Sequence, residues 1–220
     1  MPLHGVSLVG RVIQRANEVL AKDLVIVAIP DTKQNDDLAE EVQRHDAILF
    51  RGSEDDVLGR FYRASVEYNL DIVVRATADN AFIDPFEIDS MLTRLENDKL
   101  DYISNINNDR HPLGNTIEVF TRELLNKAHS NASLPHEIEH VTPYMYSHPE
   151  HRIYRHESLY LDADIRLTID QREDYELISW IYDQLSETNP VFSLKEVYSL
   201  YERFPDIFSS NLGVEQHLLP

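Results

Sequence analysis

Val73-Val74-Arg75-Ala76-Thr77-Ala78-Asp79-Asn80-Ala81-Phe82-Ile83-Asp84-Pro85 is the stretch on which the reading of the fold turns. An apolar run over 71–75 ends on an arginine, an aspartate follows, and Asp84-Pro85 then opens a helix. Asp84 suits the N-cap, Pro85 the first helical position, and Glu87 stands three residues after the cap. Strand, polar loop and helix make one unit of an open α/β sheet, whose ligands bind at the carboxyl ends of the strands. Arg75 and Asp79 are therefore the first candidate site residues. Arg75 either meets an anionic substrate or pairs with Asp79 itself.

The same alternation extends outward from this stretch. Leu8, Val9, Val12, Ile13, Ala16, Val19 and Leu20 recur on one face of a helix predicted over 7–22. Runs at 24–29 and 47–50 are short and continuously apolar, as strands buried on both faces should be. A polar helix over 36–44 separates them, and a helix with Ser53 and Asp56 as a capping pair follows. Such alternation predicts a three-layer α/β fold around a mostly parallel sheet. Doubly wound domains open on a strand whose following loop holds phosphate, whereas this chain opens on the helix.

The second half is less regular. Strands are expected at 101–104, 116–120 and 167–169, and helices at 121–129, 135–146, 170–185 and 193–202. Alternating residues over 151–161 suggest a small β excursion outside the main core. With no linker or repeat, residues 1–220 are expected to form one domain.

Twenty basic against 39 acidic residues give a net charge of −19, which repels polyanions and argues against nucleic acid as a partner. A small anionic substrate then needs a local basic pocket or a divalent cation. The absence of cysteine excludes disulfides and thiolate metal sites. No apolar run has the length of a membrane span and the first residues lack the pattern of a signal peptide, so a cytoplasmic protein with no membrane partner is expected.

Asp79 and Asp170 each follow a short strand. If those strands are parallel in one sheet, both carboxylates leave the same edge, an arrangement that suits Mg2+ with its remaining ligands from water and phosphate. The plainer alternative makes Asp170 and Glu173 an ordinary capping box. Arg51 and Arg60 add local positive charge, or lie on the surface. His136-Glu137-Ile138-Glu139-His140 matches the zinc-protease pattern H-E-x-x-H, yet Pro135 and Pro143 leave too short a helix for it. Asp162-Ala163-Asp164 matches the D-x-D of metal-dependent glycosyltransferases, a short pattern in an acidic chain.

Four stretches resemble one family together and in order. Phe50-Arg51-Gly52-Ser53-Glu54-Asp55-Asp56-Val57-Leu58-Gly59-Arg60-Phe61 is similar to the F-R-G-S-x-D-D-V-L-x-R-Y of bacterial cytidylyltransferase-like proteins of the spore coat polysaccharide biosynthesis protein F group. Residues 74–85 resemble their V-R-x-T-G-D-x-P-x-I-D-P, with Ala78, Asn80 and Ala81 at the glycine, variable and proline positions. Glu139-His140-Val141-Thr142-Pro143-Tyr144-Met145-Tyr146 resembles E-H-V-T-P-Y-x-Y, which removes the protease reading. Arg166-Leu167-Thr168-Ile169-Asp170-Gln171-Arg172-Glu173-Asp174 resembles R-x-T-V-D-T-P-E-D.

The group is related to the CMP-Kdo and CMP-sialic acid synthetases. The resemblance implies a nucleotide-diphospho-sugar transferase-like fold and Mg2+-dependent attack of a sugar or sugar-acid hydroxyl on the α-phosphorus of CTP. By motif position, Asp79 and Asp170 are the metal carboxylates and Arg75 lies at substrate or phosphate. Ser53, Arg60 and Asn80 lie toward the nucleotide.

The family's opening strand and its basic glycine-rich loop have no counterpart in these residues, since residues 1–8 align just after that loop. Three readings follow: an enzyme whose sequence begins at an internal methionine, an inert nucleotide- or sugar-binding relative, or a glycosyltransferase using Asp162 and Asp164. The first expects little pyrophosphate release without the loop, and open sheet edges that favour a homodimer.

Overall fold

In a computed structural model, which describes residues 1–106, 113–157 and 165–214, the first half alternates as its periodicity requires. A hairpin of β1 (Pro2–Leu3) and β2 (Val6–Ser7) turns at His4-Gly5, both at positive φ, and leads into α1 (Leu8–Asn17). There follow β3 (Ile26–Pro30), α2 (Asp36–Val42), β4 (Ile48–Gly52), α3 (Val57–Glu67), β5 (Ile72–Arg75) and α4 (Pro85–Asn97). The second half holds β6 (Tyr102–Ser104), β7 (Glu118–Thr121), α5 (Arg122–Asn131), α6 (Pro135–His140), α7 (Pro143–Ser147) and β8 (Ile153–Arg155). Helices α8 (Arg172–Leu185), α9 (Leu194–Arg203) and α10 (Pro205–Phe208) come last, with a 3-10 turn at Ser209–Asn211.

The α/β class and the helix-covered sheet are as expected. Within the larger sheet, ordered β5-β7-β6-β8, three strands share one direction and β7 alone opposes them. The other two strands, β3 and β4, pair in parallel from Ile26 opposite Ile48 to Pro30 opposite Gly52. No strand pairing joins β3-β4 to the larger sheet among the described residues. Helix α3 bridges the two, packing on β3 and β4 while its Leu58 joins Val73, Tyr102 and Phe120 in a buried cluster. Strands β6 and β7 are buried, whereas β3, β4 and β5 are largely half-exposed. Val74 on β5 keeps 37% of its surface, and among the described residues its strand pairs on one side only.

Several boundaries differ from the periodicity reading. The helix expected over 135–146 is two helices, because Pro143 has no N–H for the preceding turn and Val141 takes φ 71°. Asp56 rather than Ser53 caps α3, its Oδ1 accepting from Gly59 N at 2.7 Å, while Ser53 Oγ accepts from Asp56 N. Residues 167–169 form no strand; Thr168 among them makes an isolated bridge with Asn80, and Arg166 just before them makes another with Leu113. The start of the 151–161 excursion is β8, which extends the main sheet beside β6. Asp162 and Asp164 lie outside the described residues. Among the described residues no helix is long and apolar enough to cross a membrane.

Candidate active site

Helix α4 starts as its sequence dictates. Asp84 accepts from Phe86 N at 2.9 Å and Glu87 N at 3.4 Å with Pro85 at the first helical position. Glu87 does not close a capping box; it accepts from Asn115 Nδ2 at 3.0 Å, and burial holds its carboxyl above the usual range against that bond. The loop between β5 and α4 is thereby pinned at its far end. The residues just before Asp84 are also pinned from behind by two buried side chains on other helices. Tyr182 OH donates to Ala81 O at 2.7 Å, and Arg15 Nε donates to Ile83 O at 2.7 Å.

Asp79 sits on this loop. The Asn80–Thr168 bridge sets the loop against 168–170, and Ile169 N donates to Asp79 O at 3.3 Å. That backbone contact places Asp79 beside the segment that carries Asp170. Asp79 Oδ2 takes only a long contact from Thr168 Oγ1 at 3.5 Å. Asp79 Oδ1 is buried and has no hydrogen-bond partner among the described residues. A buried carboxylate oxygen left without a donor costs folding free energy unless a cation or ligand meets it. Asn80 is 4% exposed and donates to Thr116 O at 3.1 Å, so its side chain is committed to the loop's own structure.

Asp170 is not the cap of α8. Gln171 takes that position, and Asp174 in the first turn accepts from Asp170 N at 3.1 Å and Gln171 N at 2.9 Å. The capping alternative to a metal role thus falls on Asp174. Asp170 keeps a half-exposed side chain that accepts from Arg166 Nη2 through Oδ2 at 2.5 Å.

Arg75 does not pair with Asp79. Its cross-strand neighbour is Glu118, which accepts from Arg75 Nη1 at 2.5 Å and from Tyr102 OH at 2.6 Å. Glu118 is 1% exposed, a buried anion held by a guanidinium and a phenol. Burial, then Glu118, pushes the Tyr102 phenol well above its usual range, so it stays a donor. A charged residue between Ile117 and Val119 was the available signal for this partner.

Ser53 and Arg60 come together at the end of β4, where Arg60 Nη1 donates to Ser53 O at 2.6 Å. Burial lowers the Arg60 pKa against the pull of Asp56 and Glu54. Arg51 turns away to Asp36 at 2.8 Å. No hydrogen bond or ion pair among the described residues joins the Ser53–Arg60 pair to Asp79, Arg75 or Asp170.

Chemically, the Asp79–Asp170 pair fits a hard divalent cation. Oxygen donors alone, one of them orphaned, suit Mg2+, which keeps waters and borrows substrate oxygens. Among the described residues no group of three or more cysteine, acidic or histidine side chains could hold a metal. Glu137 of the H-E-x-x-H stretch is used otherwise, accepting from Ser133 N and Leu134 N at the start of α6.

The model of the family described as Cytidylyltransferase matches residues 1–199. The chain belongs to the cytidylyltransferase family. Two curated relatives of this cytidylyltransferase are each 34% identical to it. The spore coat polysaccharide biosynthesis protein SpsF of Bacillus subtilis is so over 205 residues, 90% of this chain and 83% of its own length. An uncharacterized protein of Methanocaldococcus jannaschii, MJ1063, is so over 207 residues, 93% of this chain and 83% of its own. Among solved structures, a cytidylyltransferase from Leptospira borgpetersenii superposes with a TM-score of 0.90 at 27% identity, covering 98% of this chain and 91% of that one. Membership makes the chain a nucleotidyltransferase by family, with a Rossmann-like α/β fold.

Proposed function

We propose that this cytidylyltransferase joins a cytidylyl group from CTP to a hydroxyl of a sugar or sugar acid and releases pyrophosphate, with Mg2+ held by Asp79 and Asp170. The observation that carries the reading is the Asp79 loop laid against the Asp170 segment, with one Asp79 oxygen buried and unpartnered. The acceptor oxygen bonds to the α-phosphorus, the bond to the bridging oxygen breaks, and the acceptor's proton passes to solvent. Bound Mg2+ would offset the charge that gathers on the phosphate oxygens. Asp79 and Asp170 would supply its protein ligands. Arg75, fixed by Glu118, would face the anionic substrate, and Ser53 with Arg60 would border the nucleotide. Little covalent chemistry falls to the protein; positioning and charge are its contributions.

The B. subtilis relative's name favours a surface polysaccharide as the destination of the product. A cytoplasmic setting, where CTP is available, agrees with the absence of cysteine. Calorimetric titration of CTP, UTP, ATP and GTP with Mg2+ present, followed by a pyrophosphate assay over sugars and sugar acids, tests the reading. CTP should bind in preference to the others, and EDTA should remove that preference. Equal binding of all four would sink the cytidylyl reading.

We further propose a homodimer, supported by β3-β4 and β5 presenting strand edges without partners among the described residues. Light scattering at micromolar concentration should return twice the chain mass; a monomer there would exclude it.

A further inference from the structure

Asp170 stands on a half-exposed loop, where a carboxylate would ordinarily sample several rotamers. It is held instead by a buried chain of contacts that begins at a residue 41 positions later in the sequence, Asn211. Asn211 is fully buried in the last 3-10 turn, and its Nδ2 donates to Arg166 O at 3.0 Å and to Asp174 Oδ1 at 2.8 Å. Asp174, also fully buried, takes two bonds from Arg166: Nε to Oδ1 at 2.8 Å and Nη2 to Oδ2 at 3.2 Å. The same Nη2 donates at 2.5 Å to Asp170 Oδ2. A planar guanidinium gripped at both donors on one side has one orientation, so the oxygen it offers a bond to is fixed as well.

We propose that Arg166 is a positioning residue for the cation site: locked onto Asp174 by a two-point fork, it holds Asp170 by one oxygen and turns the other toward Asp79. The inference rests on the reading of Asp79 and Asp170 as cation ligands. It adds residues that reading does not contain, and Asn211 lies beyond the residues 1–199 that the family model matches.

Charge supports the assignment. Asp79, Asp170 and Asp174 bring three negative charges and Arg166 one positive, a set that one divalent cation neutralises. Two effects of Arg166 on that cation oppose each other, repulsion of a second positive charge and orientation of the ligand. Orientation prevails, because most of the guanidinium charge is already answered by Asp174, which it meets at two points, while no other side chain among the described residues restrains Asp170. Outer-shell partners of this kind set metal affinity by about 10–100-fold.

The test is Mn2+ binding to the full 220-residue chain, without nucleotide, read from the loss of the free-ion electron paramagnetic resonance signal. Arg166→Gln alone would leave Asp174 buried without its cation and endanger folding. The informative variant is therefore the double change Arg166→Gln with Asp174→Asn, which removes both buried charges together. Arg166→Lys, which keeps charge but not the fork, accompanies it. Both should retain the near-ultraviolet circular dichroism of the parent and bind Mn2+ about tenfold or more weakly. Unchanged or tighter binding by the folded double variant overturns the positioning role. Asp79→Asn separates the two levels of the argument. If it loses Mn2+ while the double variant keeps it, only the role of Arg166 falls. If Asp79→Asn binds as the parent does, the cation site falls and Arg166's role with it.

Discussion

Replacing Asp79 by asparagine is expected to abolish specific Mn2+ binding, while the folded chain becomes no less stable. The two halves of this expectation have one origin. Asp79 Oδ1 is buried without a donor and Oδ2 takes only the 3.5 Å contact from Thr168, so the carboxylate gains little from the protein around it. Leaving such a group unsatisfied costs about 1–3 kcal/mol, and the neutral amide of the same shape lowers that cost. In a chain of this size 1 kcal/mol moves the melting temperature by roughly 2–4 °C, so the metal-free variant should melt at the same temperature or a few degrees higher. The parent gains stability from the cation by linkage, about 2.7 kcal/mol at a hundredfold excess over the dissociation constant, and the variant should gain none. Melting curves with and without Mn2+ therefore separate a ligand from a structural aspartate. A variant that unfolds, or that is still stabilised by Mn2+, would show Asp79 to be structural.

What could be read in advance divides by the range of the interactions involved. Asp84, Pro85 and the start of α4 are local, so sequence spacing suffices, and the Asp84 cap is found as expected. Ser53 and Arg60 stand seven residues apart on either side of one helix start, and they too meet. Asp79 was legible as a carboxylate just beyond a strand, but the strand expected before Asp170 does not form, and a single isolated bridge, Asn80 with Thr168, links the two segments. Arg75 was not legible in its partner. Whether it meets Asp79 or Glu118 depends on which strand lies beside β5. That is decided by β7 inserting antiparallel between β5 and β6, after a connection that periodicity cannot aim. Arg166 was visible only as the first residue of a motif. Its backbone carbonyl is held by Asn211, 45 residues later, and no local pattern connects the two.

Gly114→Ala should be the most damaging single-methyl change near the site. Gly114 has φ +95°, and a Cβ there would lie 2.1 Å from Leu167 C and from Thr168 N. Those are backbone atoms that cannot swing aside as a flexible side chain can. The contact is close because Leu167 N donates to Leu113 O at 2.7 Å, drawing the segment before Asp170 against residues 113–114. A left-handed alanine costs about 1–2 kcal/mol and overpacking typically about 1–3 kcal/mol more. Together these are a large part of a stability that runs at roughly 0.05–0.15 kcal/mol per residue. A fall in melting temperature on the order of 5–15 °C is expected. The function should suffer beyond that loss. The cheapest relief of the clash is for residues 167–168 to move away, which slackens the Asn80–Thr168 bridge and separates Asp170 from Asp79. Mn2+ affinity should therefore drop even at temperatures where the variant is fully folded. Gly213→Ala is the control, since a Cβ at that position meets nothing within 4 Å and should change stability by no more than about 0.5 kcal/mol. A Gly114→Ala protein that melts with the parent and binds Mn2+ as tightly would mean that this approach of backbone to backbone does not hold the two carboxylates together.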